Sequence, residues 1–306
     1  MKNLYLLSKF RGELMGVAII LIMIFHCGAL SIGRIGVETF VLLSGVGLYF
    51  SLSKDSNPRK FFRKRLLRIL PTYFLFATPI IIFYDYQYGL ARIMADVTTL
   101  NILRGGRFYW FIMLIILCYL IAPLYYSIQR KYKHTVAIPV VVMMLAYFIC
   151  LHLPVQSIWL QRFPSFLLGM SFGKLILECN KSENIRTISW LYVVGGCILL
   201  CVLAYIEPLV PELHMKVIFF FGVPLILIST GLFLQLTNVS VVSRCLKFIG
   251  SITLELYIVH ELVCLPIVRL FTPVNGFVIP VSILIAIAIS YSMSRISSII
   301  NAKIGL

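Results

Sequence analysis

Charge is what this sequence has least of. Only 12 % of its 306 residues are Asp, Glu, Lys or Arg, 60 % are hydrophobic, and the mean hydropathy is +0.99. Such a composition excludes a soluble globule, in which about half the residues are apolar. Acidic residues are the scarcest, 11 against 27 Lys and Arg, for a formal net charge of +16. That excess does not form open basic stretches interleaved with aromatics, so no nucleic acid partner is expected and the positive charge is assigned to the membrane. Linkers rich in Ser, Pro or Gly, low-complexity tracts and long soluble inserts are also lacking, which predicts one integral membrane domain over residues 1–306. No convincing similarity links the two halves, which counts against a transporter built from inverted repeats. There is no Cys-x-x-Cys pair. Cys197 and Cys201 share a helix face, but no His or carboxylate accompanies them, so the eight cysteines read as packing groups and no metal is expected.

What the chain does have is a series of apolar runs. A helix needs about 20 mainly apolar residues to cross a hydrocarbon core roughly 30 Å thick. On that measure about ten candidate spans can be drawn, at 13–31, 36–53, 69–85, 109–128, 135–152, 157–177, 188–206, 215–236, 247–268 and 277–299. The fold class expected is therefore an all-α polytopic membrane protein. The first run lacks a small-residue cleavage site and is read as a membrane helix rather than a signal peptide. Basic residues gather in alternate connections. Placing the N-terminus in the cytoplasm leaves only Arg34, Arg92, Arg104, Arg107, Arg162, Lys216 and Arg269 outside, and predicts that both termini are cytoplasmic. The longest connection, 86–108, then faces outside and could cover a site there.

Ionisable groups inside the spans are costly to bury and so point to function. His26 ends the first apolar run and His260 lies in the ninth. At 1.5 Å per residue both sit about 20 Å above the cytoplasmic edge, in the outer half of the membrane, where they could share one cavity. Glu38 enters the same region from the second span, and Glu261 follows His260; a carboxylate beside an imidazole would hold its tautomer and basicity for general-base work on a hydroxyl. On the cytoplasmic side, Arg65 and Arg68 in the run Arg59-Lys-Phe-Phe-Arg-Lys-Arg-Leu-Leu-Arg68 share a helix face and suit phosphates. A juxtamembrane basic cluster also serves as a topology anchor on anionic lipid. Ser44 sits among Gly45 and Gly47 and reads as a packing contact, not a nucleophile.

The order of these elements resembles the membrane acyltransferase-3 family. The motifs are the outer-half His26, Gly36-Val-Glu38-Thr-Phe-Val-Leu-Leu-Ser44-Gly45, Phe61-Phe-Arg-Lys-Arg-Leu-Leu-Arg-Ile-Leu-Pro71-Thr-Tyr73 and Tyr109-Trp110. They continue through Phe163-Pro-Ser-Phe-Leu-Leu-Gly169 and Glu255-Leu-Tyr257-Ile-Val-His260-Glu261, so that most of the chain is covered. The resemblance implies transfer of an acyl group, usually acetyl from acetyl-CoA, to a hydroxyl of a bacterial envelope glycan or lipid-linked sugar at the inner membrane. It makes His26 the base, Glu38 the family's acidic residue and Arg65 with Arg68 the CoA-phosphate pair. Trp110, His260 and Glu261 fall on the substrate side. Two positions depart from the pattern. Met15 stands where many relatives have arginine, the nearest basic residue being Arg11, and no glutamate follows Trp110 closely. The rival expectation is a transporter or flippase for a lipid-linked sugar or anionic metabolite; a noncatalytic scaffold explains the matched depths of the histidines poorly.

Overall fold

Apolar runs without strand-like alternation satisfy their backbone groups internally as helices, and in the computed structural model every regular element among the described residues is helical. It describes residues 4–304 except 101–108, 133–136, 153–157, most of 179–212, 238–239 and 271–276. The elements are α1 (Tyr5–Lys9), α2 (Arg11–His26), α3 (Ile35–Lys54), α4 (Pro58–Asp85), α5 (Leu90–Val97), α6 (Trp110–Lys131), α7 (Ala137–His152), α8 (Ile158–Glu178), α9 (Leu213–Thr237), α10 (Ser240–Ser251), α11 (Thr253–Leu270) and α12 (Val278–Ile304). Among the described residues four helices are long and apolar enough to cross a membrane: α3, α4 with the turn that follows it, α6 and α12. The seventh candidate span, 188–206, lies mostly outside the described residues.

Local sequence explains the boundaries that matter for the site. Gly28, at φ 75°, ends α2 just after His26, and a glycine tolerates this left-handed backbone without a Cβ clash. Asn57 caps α4, its side-chain oxygen accepting from Arg59 N at 3.0 Å and Lys60 N at 3.3 Å, with Pro58 at the first helical position. The basic run is therefore the opening of one continuous helix with the third span, not a loop before it. The ninth candidate span is divided: α10 stops at Ser251, Ile252 makes the turn with its N–H donating to Ile249 O at 3.3 Å, and α11 begins at Thr253. The connection 86–108, expected as a loop, contains α5. The Tyr73 hydroxyl donates to Val97 O at 3.1 Å, holding α5 against α4, and within α5 Arg92 Nε donates to Asp96 Oδ2 at 2.8 Å.

Helices α3 and α8 pack along much of their length, as do α2 and α10. The α3–α8 crossing is tight because glycines face each other across it. A Cβ at Gly169 would run into the Leu42 carbonyl, and one at Gly45 into the Phe166 carbonyl. Replacing Gly169 by leucine is expected to destabilise the protein by about 3 kcal/mol or more, since backbone must move to make room. A thermal-unfolding midpoint measured in detergent checks this, and an unchanged midpoint would mean that the crossing is looser than described.

Candidate active site

The helices that carry the sequence-selected residues enclose one cavity. It holds about 1090 Å³ of atom-free space, including its mouth, and is walled by α2, α3, α4, α6 and α11. Each helix contributes a stripe. On α2 the lining residues are Arg11, Met15, Ile19, Ile22 and His26, spaced four, four, three and four apart, which keeps them on one face. On α3 the stripe is Val37, Phe40, Ser44 and Leu48; on α4 it is Arg65, Arg68 and Ile69; on α11 it is Leu254, Tyr257, His260 and Glu261. Arg11 and His26 are fifteen positions apart on one helix, so the cavity spans about 22 Å. One end is guanidinium-rich and the other carries imidazoles, with apolar walls between.

At the imidazole end, His26 and His260 meet edge to face, ring centroids 4.8 Å apart and planes at 73°. Their matched depths, expected from helix rise, are realised as contact. His260 Nδ1 lies 2.8 Å from Tyr257 O and 3.1 Å from Leu256 O. Carbonyl oxygens only accept, so Nδ1 carries the proton of the neutral ring and Nε2 keeps its lone pair. That Nε2 is buried and has no hydrogen-bond partner among the described residues. His26 is more open, and its Nε2 lies 3.6 Å from Glu261 Oε1. Glu261 is thus the carboxylate placed to stabilise His26 as an imidazolium. Ligand-type atoms of His26, His260 and Glu261 fall within 4.8 Å of one another. Trp110 and Phe111, at the start of α6, complete this end; the Phe111 N–H donates to the Tyr257 hydroxyl at 3.2 Å.

Glu38 is elsewhere. Its stripe neighbours Val37 and Phe40 face the cavity, so Glu38, rotated off that face, turns toward α8 and pairs with Arg162. Both are largely buried, and the pair ties α3 to α8. The expectation that Glu38 stands beside His26 is therefore replaced by Glu261 in that position.

At the opposite end, Arg11 joins Arg65 and Arg68, within electrostatic reach of both. Arg11 Nε donates to Leu43 O at 3.1 Å, and its guanidinium lies flat where Gly47 leaves room on α3. Arg65 stacks over Phe61 at 5.8 Å, with a buried Nε that has no partner among the described residues. Glu261 is the one carboxylate among the described lining residues, and it sits at the far end. Three guanidinium groups grouped in this way, with Glu255 within reach of Arg68 from outside the cavity, leave a net positive end that favours an anion. Sequence reasoning missed Arg11 as a site residue, counting it only toward topology. The signal was available, because stepping back from His26 by helical turns through 22, 19 and 15 reaches 11. Met15 lies one turn above it on the same face.

Set beside models of known families, the chain matches the acyltransferase domain of the acyltransferase-3 family over residues 14–295. No curated protein and no solved structure matched it.

Proposed function

The chain belongs to the acyltransferase-3 family and is a membrane acyltransferase, and on that premise we propose that it moves an acetyl group from cytoplasmic acetyl-CoA to a hydroxyl of a bacterial envelope glycan or lipid-linked sugar. The observation that carries this reading is the single cavity joining the guanidinium end to the histidine pair. Arg11, Arg65 and Arg68 hold the CoA phosphates at the cytoplasmic mouth, as the excess of basic residues there supports. The pantetheine arm lies along the apolar walls and brings the thioester to His26. The acceptor enters from the outer side over Trp110, a neighbouring hydroxyl of the sugar donating to the free lone pair of His260 Nε2 and so leaving the reacting hydroxyl to His26.

His26 takes the hydroxyl proton as the oxygen attacks the thioester carbonyl, and Glu261 stabilises the imidazolium formed. Collapse of the tetrahedral intermediate breaks the carbon–sulfur bond. The CoA sulfur leaves with the proton returned by His26, so the base is regenerated neutral. No metal is assigned a step in this scheme. In this role Arg11 supplies, one turn nearer the cytoplasm, the positive charge that many relatives carry at the position of Met15.

Two measurements test the proposal. Mass spectrometry of surface glycans from cells with and without the gene is expected to show loss of one acetyl increment per modified sugar; identical glycan masses would contradict the acceptor class. Replacing Arg65 and Arg68 together by alanine is expected to weaken CoA binding about 100-fold, at roughly 1.5 kcal/mol for each charged hydrogen bond lost. Titration of CoA into purified protein reads this, and unchanged affinity in a variant of normal topology would reduce the pair to topology anchors.

A further inference from the structure

A second, smaller cleft opens off the arginine end of the main cavity. It has about 460 Å³ of atom-free space and shares Arg68, Thr253 and Leu254 with the larger one. Its walls are α4, the α10–α11 turn and one face of α12, where Ser294, Ser297, Ser298 and Asn301 recur at helical spacing. A polar stripe on an apolar helix commonly serves to bond a neighbouring helix, and one pair does so: the Thr72 hydroxyl donates to Ser297 Oγ at 3.0 Å.

The remaining groups are not used in that way. Ser251 donates to Phe248 O at 2.7 Å, Thr253 to Gly250 O at 3.4 Å and Ser298 to Arg295 O at 2.7 Å, so each hydroxyl has spent its proton on backbone and shows the cleft lone pairs. Asn301 Oδ1 is buried with no partner among the described residues. Glu255, 7 % exposed, lines the cleft within electrostatic reach of Arg68 and is hydrogen-bonded to no other side chain among the described residues. The cleft thus offers several acceptors, Glu255 and the Asn301 oxygen among them, with a guanidinium at its inner edge, beside the donors of Ser297 and the Asn301 amide. The ligand that complements it has N–H and O–H donors next to a phosphate, which is the chemistry of a nucleotide.

We propose that this cleft receives the nucleoside of the acyl-CoA, whose ribose hydroxyl and adenine amino group donate to Glu255 and Asn301 while Arg68 takes an adjoining phosphate. The assignment rests on the acyl-CoA reading and adds the residues that distinguish CoA from its phosphopantetheine half. Arg68 then stands at the junction where the nucleotide ends and the arm enters the main cavity.

The test compares binding of CoA and of 4′-phosphopantetheine to the full chain in nanodiscs of phosphatidylglycerol. Wild-type protein is expected to bind CoA at least tenfold more tightly. Glu255→Gln and Asn301→Leu are each expected to lower CoA affinity about tenfold and to leave phosphopantetheine affinity unchanged, which also shows that the variants are folded. CoA affinity untouched by both substitutions, or lowered equally for both probes, would overturn the assignment. So would a severalfold fall in CoA affinity when phosphatidylethanolamine is added to the nanodiscs, since the cleft would then hold a lipid headgroup with its own donor and phosphate. If wild-type protein bound no CoA at all, the acyl-CoA reading itself would fall, an outcome distinct from tight CoA binding that ignores Glu255 and Asn301.

Discussion

His26→Ala, purified and normally inserted, is expected to transfer labelled acetyl 10²- to 10⁴-fold more slowly than the parent, the range that a positioned general base contributes. The expectation rests on contact rather than on residue type. His26 is held at the end of α2 by the stop at Gly28, its ring against His260 at 4.8 Å and its Nε2 3.6 Å from Glu261. Affinity for CoA is expected to stay near the parental value, because the phosphate-holding arginines gather at the other end of the cavity, Arg11 about 22 Å from His26 along the same helix. The split between rate and binding separates this role from packing: a merely structural histidine would lower both together. A parental transfer rate in His26→Ala would remove the base assignment.

The second large effect falls on stability. Removing the guanidinium in Arg162→Ala leaves Glu38 buried and ionised without a partner, and breaking a buried pair from one side costs about 3–5 kcal/mol. The same loss is expected for Glu38→Gln, through Arg162. Replacing both partners by apolar residues of similar volume, Glu38→Met with Arg162→Met, is expected to recover most of it, since neither charge then needs compensation. Unfolding midpoints of the three variants in detergent check the coupling. If Glu38→Gln kept full stability and lost acetyl transfer instead, the carboxylate would belong to the chemistry and not to the α3–α8 contact.

Much of this was legible in the chain before any coordinates. Apolar runs locate most of the helices because they lack the alternation of barrel strands, and a helix then satisfies the backbone groups within each run. Rise counted along the first and ninth apolar runs puts His26 and His260 at one level, and they touch, although the ninth run is broken at Ile252 and is not the single helix that the count assumes. The i, i+3 spacing of Arg65 and Arg68 put them on the face that lines the cavity. What failed did so for geometric reasons. Depth in the membrane says nothing about which way a residue faces, and Glu38, level with the histidines in sequence terms, is turned to α8 and Arg162. The break at Ile252 was hidden because hydropathy continues through it; the polar side of Ser240–Ser251 was the only hint that a separate helix precedes α11. From sequence alone Arg11 counts as one more cytoplasmic charge, since its partners in the cavity come from α4, more than fifty residues on.

The central claim is that one cavity takes acyl-CoA at its arginine end and performs chemistry at its histidine end. The most direct measurement is release of free CoA thiol from acetyl-CoA by purified protein in liposomes, with an extract of envelope glycan as acceptor. Steady thiol release by the parent, abolished in His26→Ala and saturating only at much higher acetyl-CoA in the Arg65→Ala, Arg68→Ala variant, is the result predicted. No thiol release from acetyl-CoA or any other acyl-CoA, together with movement of a lipid-linked sugar across the liposome membrane, would contradict it and mark the protein as a carrier.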